Sequence, residues 1–130
     1  MNIRKSSEDY LEAMLVMRER HGYIRSIDIA AELGVSKPSV SNAVKRLREN
    51  GYVVMGKDGL ITLTLTGAEI AARIYERHKL LTEYLIRLGV DAAIARADAC
   101  RIEHDISDET FDAIKRHVAK NSGNAKRAET

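Results

Sequence analysis

The stretch Gly34-Val35-Ser36-Lys37-Pro38 limits what this chain can fold into more than any other. Glycine ends a helix at little cost, because it accepts the left-handed conformation that a C-terminal cap needs. Serine two residues before a proline starts the next helix. The serine side chain accepts a backbone N–H, and the N–H that proline lacks is not needed in a first turn. Two helices therefore meet across a tight turn. The first, Ile27 to Leu33, is capped by Ser26 and turns Ile29, Ala30 and Leu33 inward. The second runs to about Asn50, with Gly51 just past its end and Val40, Val44 and Leu47 as its apolar stripe. Its other face carries Ser39, Ser41, Asn42, Lys45, Arg46 and Arg48. A short helix, a tight turn and a polar, basic helix in succession read as a helix-turn-helix.

A hairpin follows directly. Tyr52-Val53-Val54-Met55 and Leu60-Ile61-Thr62-Leu63-Thr64-Leu65 flank the turn Gly56-Lys57-Asp58-Gly59. Ile61, Leu63 and Leu65 alternate with Thr62 and Thr64, the period of a half-buried strand. A hairpin in this place is the wing of a winged helix. Serine and asparagine hydrogen-bond base edges or phosphates, and lysine and arginine neutralise phosphates. The candidate DNA-binding residues are Ser36, Lys37, Pro38, Ser39, Ser41, Asn42, Lys45 and Arg46, with Lys57 at the wing tip. The formal net charge is only +2, so the case for DNA rests on this local clustering. An ordinary solvated helix in a small bundle is the plain alternative. It would not require the turn, the cap and the charge bias to coincide.

Ahead of this motif, Ser6 or Ser7 caps a first helix that runs to about Arg20. Leu11, Met14 and Leu15 form one face, and Asp9 and Glu12 lie beside Ala13 and Val16 on another. Behind the hairpin, Thr66 caps a long helix from Gly67 to about Leu88. Its stripe is Ile70, Ile74, His78, Leu81, Leu85 and Leu88. Asp91 caps a fifth helix carrying Cys100, Glu103 and His104. Ser107 caps a last one, Asp108 to about Lys120, with Phe111, Ile114 and Val118 inward. From Asn121 the composition turns to Ser, Gly, Asn, Lys and Ala, which predicts a disordered tail. The fold class is mainly α: a winged helix-turn-helix domain over 1–66, a helical domain over 67–120, and a tail over 121–130.

Cys100, Glu103 and His104 stand at i, i+3 and i+4, one face of a helix. Thiolate and imidazole suit divalent transition metals, and a carboxylate broadens the choice. A chance cluster of solvated groups beside a buried thiol would show the same spacing. Asp9 and Glu12 have a plain reading as acids near a helix N-terminus, and His78 as a satisfied core histidine. Together these six come from three helices and would converge if the first, fourth and fifth met. The single cysteine excludes an intramolecular disulfide. No stretch reads as a signal peptide or a bilayer span, so the expected location is the cytoplasm. A thiol enzyme using Cys100 and His104 is disfavoured, since the pair shares one helix with no oxyanion donor or Gly-rich turn beside it.

The order of motifs resembles the diphtheria-toxin-repressor family of metal-dependent transcriptional repressors, most closely its short manganese-transport-regulator branch. The likeness spans Ser7 to Val118. It rests on Glu8-Asp9-Tyr10-x-Glu12 and on Asp28-Ile29-Ala30-x-x-Leu33-x-Val35-x-x-Pro38-Ser39-Val40-Ser41. It continues with Leu63-x-x-x-Gly67, Arg77-His78-x-Leu80-Leu81 and Cys100-x-x-Glu103-His104. The resemblance implies a homodimer that binds a palindromic double-stranded operator when metal is present, through a winged helix and a helical dimerisation and metal-binding domain. It implies no enzymatic activity. Position by position, Asp9, Glu12, His78, Glu103 and His104 match ligands of the manganese branch. Cys100 departs from that branch, which has glutamate there, and matches the iron-responsive branch, which has methionine in place of Asp9. Thr82 and Arg96 stand where the iron branch has ligands of a second, ancillary site. The implied cofactor is Fe(II) or Mn(II), with Co(II) or Zn(II) also able to bind in vitro. The rival reading is a winged-helix regulator that answers to an organic ligand or to none, with the Cys/Glu/His cluster structural.

Overall fold

The computed structural model describes residues 6–120 in full. The expected disordered tail, 121–130, lies outside them. The elements run in the order α1 (Lys5–His21), β1 (Ile24–Arg25), α2 (Ser26–Leu33), α3 (Lys37–Glu49), β2 (Val53–Met55), β3 (Leu60–Leu63), α4 (Leu65–Arg87), α5 (Ala92–Ile102) and α6 (Asp108–Glu129). Two compact units divide the chain, Met1–Tyr75 and Glu76–Thr130. No described helix is long and apolar enough to cross a membrane.

The first unit is a helix-turn-helix with a wing. Gly34 closes α2 in the left-handed conformation, at φ 65°, and its N–H donates to the Ala30 carbonyl. Two residues on, the Ser36 hydroxyl accepts the Ser39 N–H at 3.2 Å and opens α3, with Pro38 in the first turn. Val40, Val44 and Leu47 are each 2% exposed or less. Each such side chain contributes on the order of 1.5–3 kcal/mol when taken from water. They meet Leu11 and Met14 of α1, Ile29 of α2 and Ile61 of β3 in one apolar core. That core fixes the roll of α3, so its polar residues face outward.

The sheet has the order β1-β3-β2, all antiparallel. Val53 pairs with Leu63, and both are buried. Val54 pairs with Thr62, and both are exposed. This is the expected alternation, but it ends earlier than the pattern Ile61, Leu63, Leu65 implies. Leu65 has left the strand for α4 and is 78% exposed.

Three expected caps move. Ser6 and Ser7 lie inside α1, so neither is its N-cap. Ser26 is already helical, and Arg25 takes the cap position with extended dihedrals and no side-chain cap bond. Pairing of Arg25 with Leu60 holds it extended, and the chain passes straight from strand to helix. Thr64, not Thr66, caps α4: its hydroxyl accepts the Gly67 N–H at 3.1 Å. The same hydroxyl can donate to the carbonyls of Gly51 and Tyr52, at 2.8 and 3.0 Å, which ties the start of α4 to the end of α3. Buried Glu8 of α1 lies 3.8 Å from Arg73 of α4 within this unit.

In the second unit the rest of α4 is joined by α5 and α6. The Asp91 carboxylate accepts the Ala93 N–H, and the Ser107 hydroxyl accepts the Thr110 N–H, as the sequence leads one to expect. Leu81, Ala95, Ala99, Phe111 and Val118 are buried, whereas Leu88, expected in the stripe, is 63% exposed. Tyr84 of α4 meets His117 of α6 edge-on. Lys115 of α6 donates to the Glu76 carboxylate, which raises the lysine pKa.

Gly67 has no room for a side chain. A Cβ there would stand 2.0 Å from the Tyr52 carbonyl oxygen and 2.9 Å from its carbon. Both are backbone atoms, and the oxygen also accepts the Thr64 N–H at 3.0 Å, so it cannot retreat cheaply. Gly67→Ala is expected to lower stability by about 3 kcal/mol, the upper end for overpacking. Urea unfolding of the full chain checks it; an unchanged midpoint would mean that this contact is not tight.

Candidate nucleic-acid interface and metal centre

On α3 the outward residues Lys37, Pro38, Ser39, Ser41, Asn42, Lys45, Arg46 and Arg48 are all exposed. Ser39, Asn42, Lys45, Arg46 and Glu49 line one side of a shallow groove completed by Ser6 and Tyr10 of α1. The Ser36 and Ser39 hydroxyls lie 2.8 Å apart, so these two candidate residues form one hydrogen-bonded pair at the start of the helix. Lys57 is exposed in the wing turn, where the Asp58 carboxylate accepts the Leu60 N–H and shapes the loop. Lys45 also faces a second shallow depression with Arg48 and the wing residues Val54 and Met55. Arg48 thus shares this surface with the residues expected to bind DNA. Its signal was the same charge on the same face.

The metal-ligand candidates fall in both units. Asp9 and Glu12 stand three residues apart on α1 and are half-buried. In the second unit, Glu103 has no exposed surface. Its Oε2 is hydrogen-bonded to His78 Nδ1 of α4 at 2.9 Å, and its Oε1 lies 3.3 Å from His104 Nε2. The structure therefore brings His78, Glu103 and His104 together, with the carboxylate between two imidazoles. Cys100 lies one turn earlier on α5 and is exposed.

The expected single helical face is modified at its end. α5 stops at Ile102, Glu103 closes it in the αR conformation, and His104 falls in the turn beyond. Cys100 and Glu103 still share a helical face, but His104 is presented by the turn. The cause lies on α4. Arg77 donates to the carbonyls of Glu103 and Ile106, each at 3.0 Å, and satisfies two oxygens that have left the helical ladder. Arg77 is 5% exposed. It carries no role in the sequence reading. A charged residue beside His78, inside an otherwise apolar stripe, was the signal that could have found it.

The donor set fits a divalent transition metal. Two imidazoles and a carboxylate are nitrogen and oxygen ligands suited to iron, manganese, cobalt or zinc. The contacts of 2.9 and 3.3 Å run to different oxygens of the one Glu103 carboxylate, so each imidazole has its own oxygen. Thr82, at the position of an ancillary ligand in the iron branch, instead donates its hydroxyl to the His78 carbonyl at 2.7 Å.

Two family models cover nearly the whole chain. "Iron dependent repressor, N-terminal DNA binding domain" matches residues 2–60, and "Iron dependent repressor, metal binding and dimerisation domain" matches residues 64–125. Transcriptional regulator MntR of Escherichia coli O6:H1 is 38% identical over 117 residues, covering 90% of this chain and 76% of that one. The chain belongs to the iron-dependent repressor family. The manganese regulator SloR shares the fold with a TM-score of 0.78 at 30% identity, over 87% of this chain and 53% of SloR. A manganese-dependent transcriptional repressor solved with manganese gives 0.80 at 28% identity, over 87% of this chain and 52% of that one. This chain thus spans about half the length of those two solved proteins. The second family model begins at Thr64, the cap of α4, so its match takes in the whole of that helix.

If the exposed face of α3 holds phosphates, Lys45→Ala or Arg46→Ala will weaken binding to every duplex sequence alike. Each will lower the slope of log affinity against log salt by about one unit. Fluorescence anisotropy at several salt concentrations measures this. Wild-type affinity and slope in both variants would remove this face from the interface.

Proposed function

We propose that this protein is a metal-activated transcriptional repressor that binds DNA as a homodimer and controls metal-uptake or metal-homeostasis genes. The observation that carries the reading is the presence, in one chain of this family, of an outward polar, basic α3 and a buried carboxylate held between two imidazoles. The polar residues of α3 and Lys57 of the wing engage the operator. The operator is a palindrome, because a two-fold dimer presents two recognition helices to half-sites about 34–36 Å apart. Ile86, Leu88 and Ile94 of the C-terminal unit remain exposed, an apolar surface that a second copy would cover. The protein acts in the cytoplasm.

Asp9, Glu12, His78, Cys100, Glu103 and His104 are the proposed ligands of the activating ion. Support comes from their chemistry, from the family pattern of residues, and from the contacts of Glu103 with both histidines. When bound, the ion would supply positive charge that draws these donors into a fixed arrangement. Glu103 orients the two imidazoles, and the acids of α1 add the oxygen donors that manganese prefers. The ion favours the DNA-competent state over the incompetent one, so metal and operator strengthen each other.

Cys100 decides the metal preference. Thiolate is softer than carboxylate and favours iron, cobalt or zinc over manganese. It must lose its proton to bind, so affinity rises with pH across the thiol's titration. The expected order places iron above manganese, although SloR and the other solved relative carry manganese in their names. The test combines metal content and operator affinity, measured anaerobically for manganese, iron, cobalt and zinc. Operator binding should appear with metal and vanish with chelator; equal binding in both would leave a winged-helix regulator without a metal switch. With cobalt bound, wild type should show an intense near-ultraviolet thiolate band that Cys100→Ser abolishes, and Cys100→Glu should shift preference toward manganese. A cobalt spectrum without that band, and a serine variant that answers every metal like wild type, would make Cys100 a bystander.

A further inference from the structure

Two neighbouring residues of α4 hold Glu103, the residue that closes α5, by its side chain and its main chain. His78 meets the Glu103 side chain at 2.9 Å, and Arg77 meets the Glu103 main-chain carbonyl at 3.0 Å. The Arg77 guanidinium also donates to the Ile106 carbonyl at 3.0 Å and to the Asp108 carboxylate, and lies over the Phe111 ring, 5.1 Å from its centroid. One buried cation thus spans the turn that carries His104, from Glu103, which closes α5, to the first residue of α6. We infer that Arg77 is a positioning residue for the metal donors: it sets where Glu103 and His104 stand relative to His78, and so sets metal affinity and coordination geometry.

The physical reasons are three. A C-terminal helix carbonyl has no partner in its own helix, and a permanent cation there is favoured by the helix dipole. A planar guanidinium donates in several fixed directions, so it can fix two carbonyls and a carboxylate at once. An ammonium is a compact point charge on a flexible stem. Finally, donors at a metal site are kept in place by the groups that hold the ligands, and losing such a group weakens metal binding even when every ligand remains. Arg77 fills that role through the backbone of one donor and the turn that bears another.

This inference rests on the metal-binding reading of Glu103 and His104, and the test separates the two. Cobalt(II) is titrated into the full chain, its absorption spectrum is followed, and thermal unfolding is recorded in chelator. Arg77→Lys keeps the charge and loses the fork. Asp108→Asn removes one anchor of the guanidinium at a side chain that is 72% exposed, so that variant is expected to fold. Arg77→Lys should lower cobalt affinity roughly 10- to 100-fold and shift the visible bands at saturation, with a wild-type far-ultraviolet circular dichroism spectrum. Asp108→Asn should move both in the same direction by less. A purely structural Arg77 would lower only the metal-free unfolding temperature and leave the saturated spectrum as in wild type; that result overturns the inference. If Arg77→Lys does not fold, Asp108→Asn decides: weaker cobalt binding with shifted bands supports the inference, and wild-type binding overturns it. A wild-type chain that takes up no cobalt removes the metal reading and this inference with it.

Discussion

A carboxylate with no contact to water costs several kcal/mol unless charges or donors surround it. In the C-terminal unit that carboxylate is Glu103, and the surrounding structure is arranged to supply its partners. α4 brings His78 to one oxygen, the turn after α5 brings His104 to the other, and Arg77 holds the main chain between them. Each partner comes from a place where a simpler sequence would put an apolar residue or a free helix end. A buried group of this kind makes a poor fold stabiliser and a good switch, because anything that changes its charge balance changes the energy of its whole surroundings. A divalent cation is the agent whose chemistry matches these donors.

The N-terminal unit depends on a different constraint, the roll of α3. Three buried aliphatic residues along one stripe leave only one orientation that hides them, and that orientation turns Asn42, Lys45 and Arg46 outward. The turn at Gly34 and the cap at Ser36 set where the helix begins. Thr64 and Gly67 then lock the start of α4 to the Tyr52 carbonyl. α4 therefore contributes its first turns to the DNA-reading unit and Arg77 and His78 to the other. The helix that carries His78, a proposed metal ligand, is also the one whose start is tied to the end of α3.

Much of this was legible in the sequence wherever the signal was local. Gly34, Ser36, Pro38, Asp91 and Ser107 each have a conformational demand that neighbouring residues satisfy, and the structure meets it. The apolar stripe of α3 and the alternation in β3 were legible for the same reason. What could not be read depended on contacts distant in the chain. Arg25 is extended because it pairs with Leu60, and a strand of two residues leaves no periodicity to detect. Thr64 rather than Thr66 caps α4 because the hairpin brings Thr64 to the carbonyls of Gly51 and Tyr52. The residue types of the metal candidates were plain, but the bonds of Glu103 to His78 and the departure of His104 from the helix were not. Both follow from the meeting of α4 with the end of α5, which no spacing rule encodes.

The central claim is that metal and operator report on one equilibrium. Reciprocity makes it measurable without knowing the target genes: if metal strengthens DNA binding by some factor, DNA must strengthen metal binding by the same factor. The direct measurement is the affinity for cobalt or iron, by anaerobic titration, with and without saturating operator duplex. The account predicts a tighter metal affinity on DNA, by the factor through which metal tightens the operator. An identical metal affinity in both conditions, for a protein that binds both ligands, would contradict it.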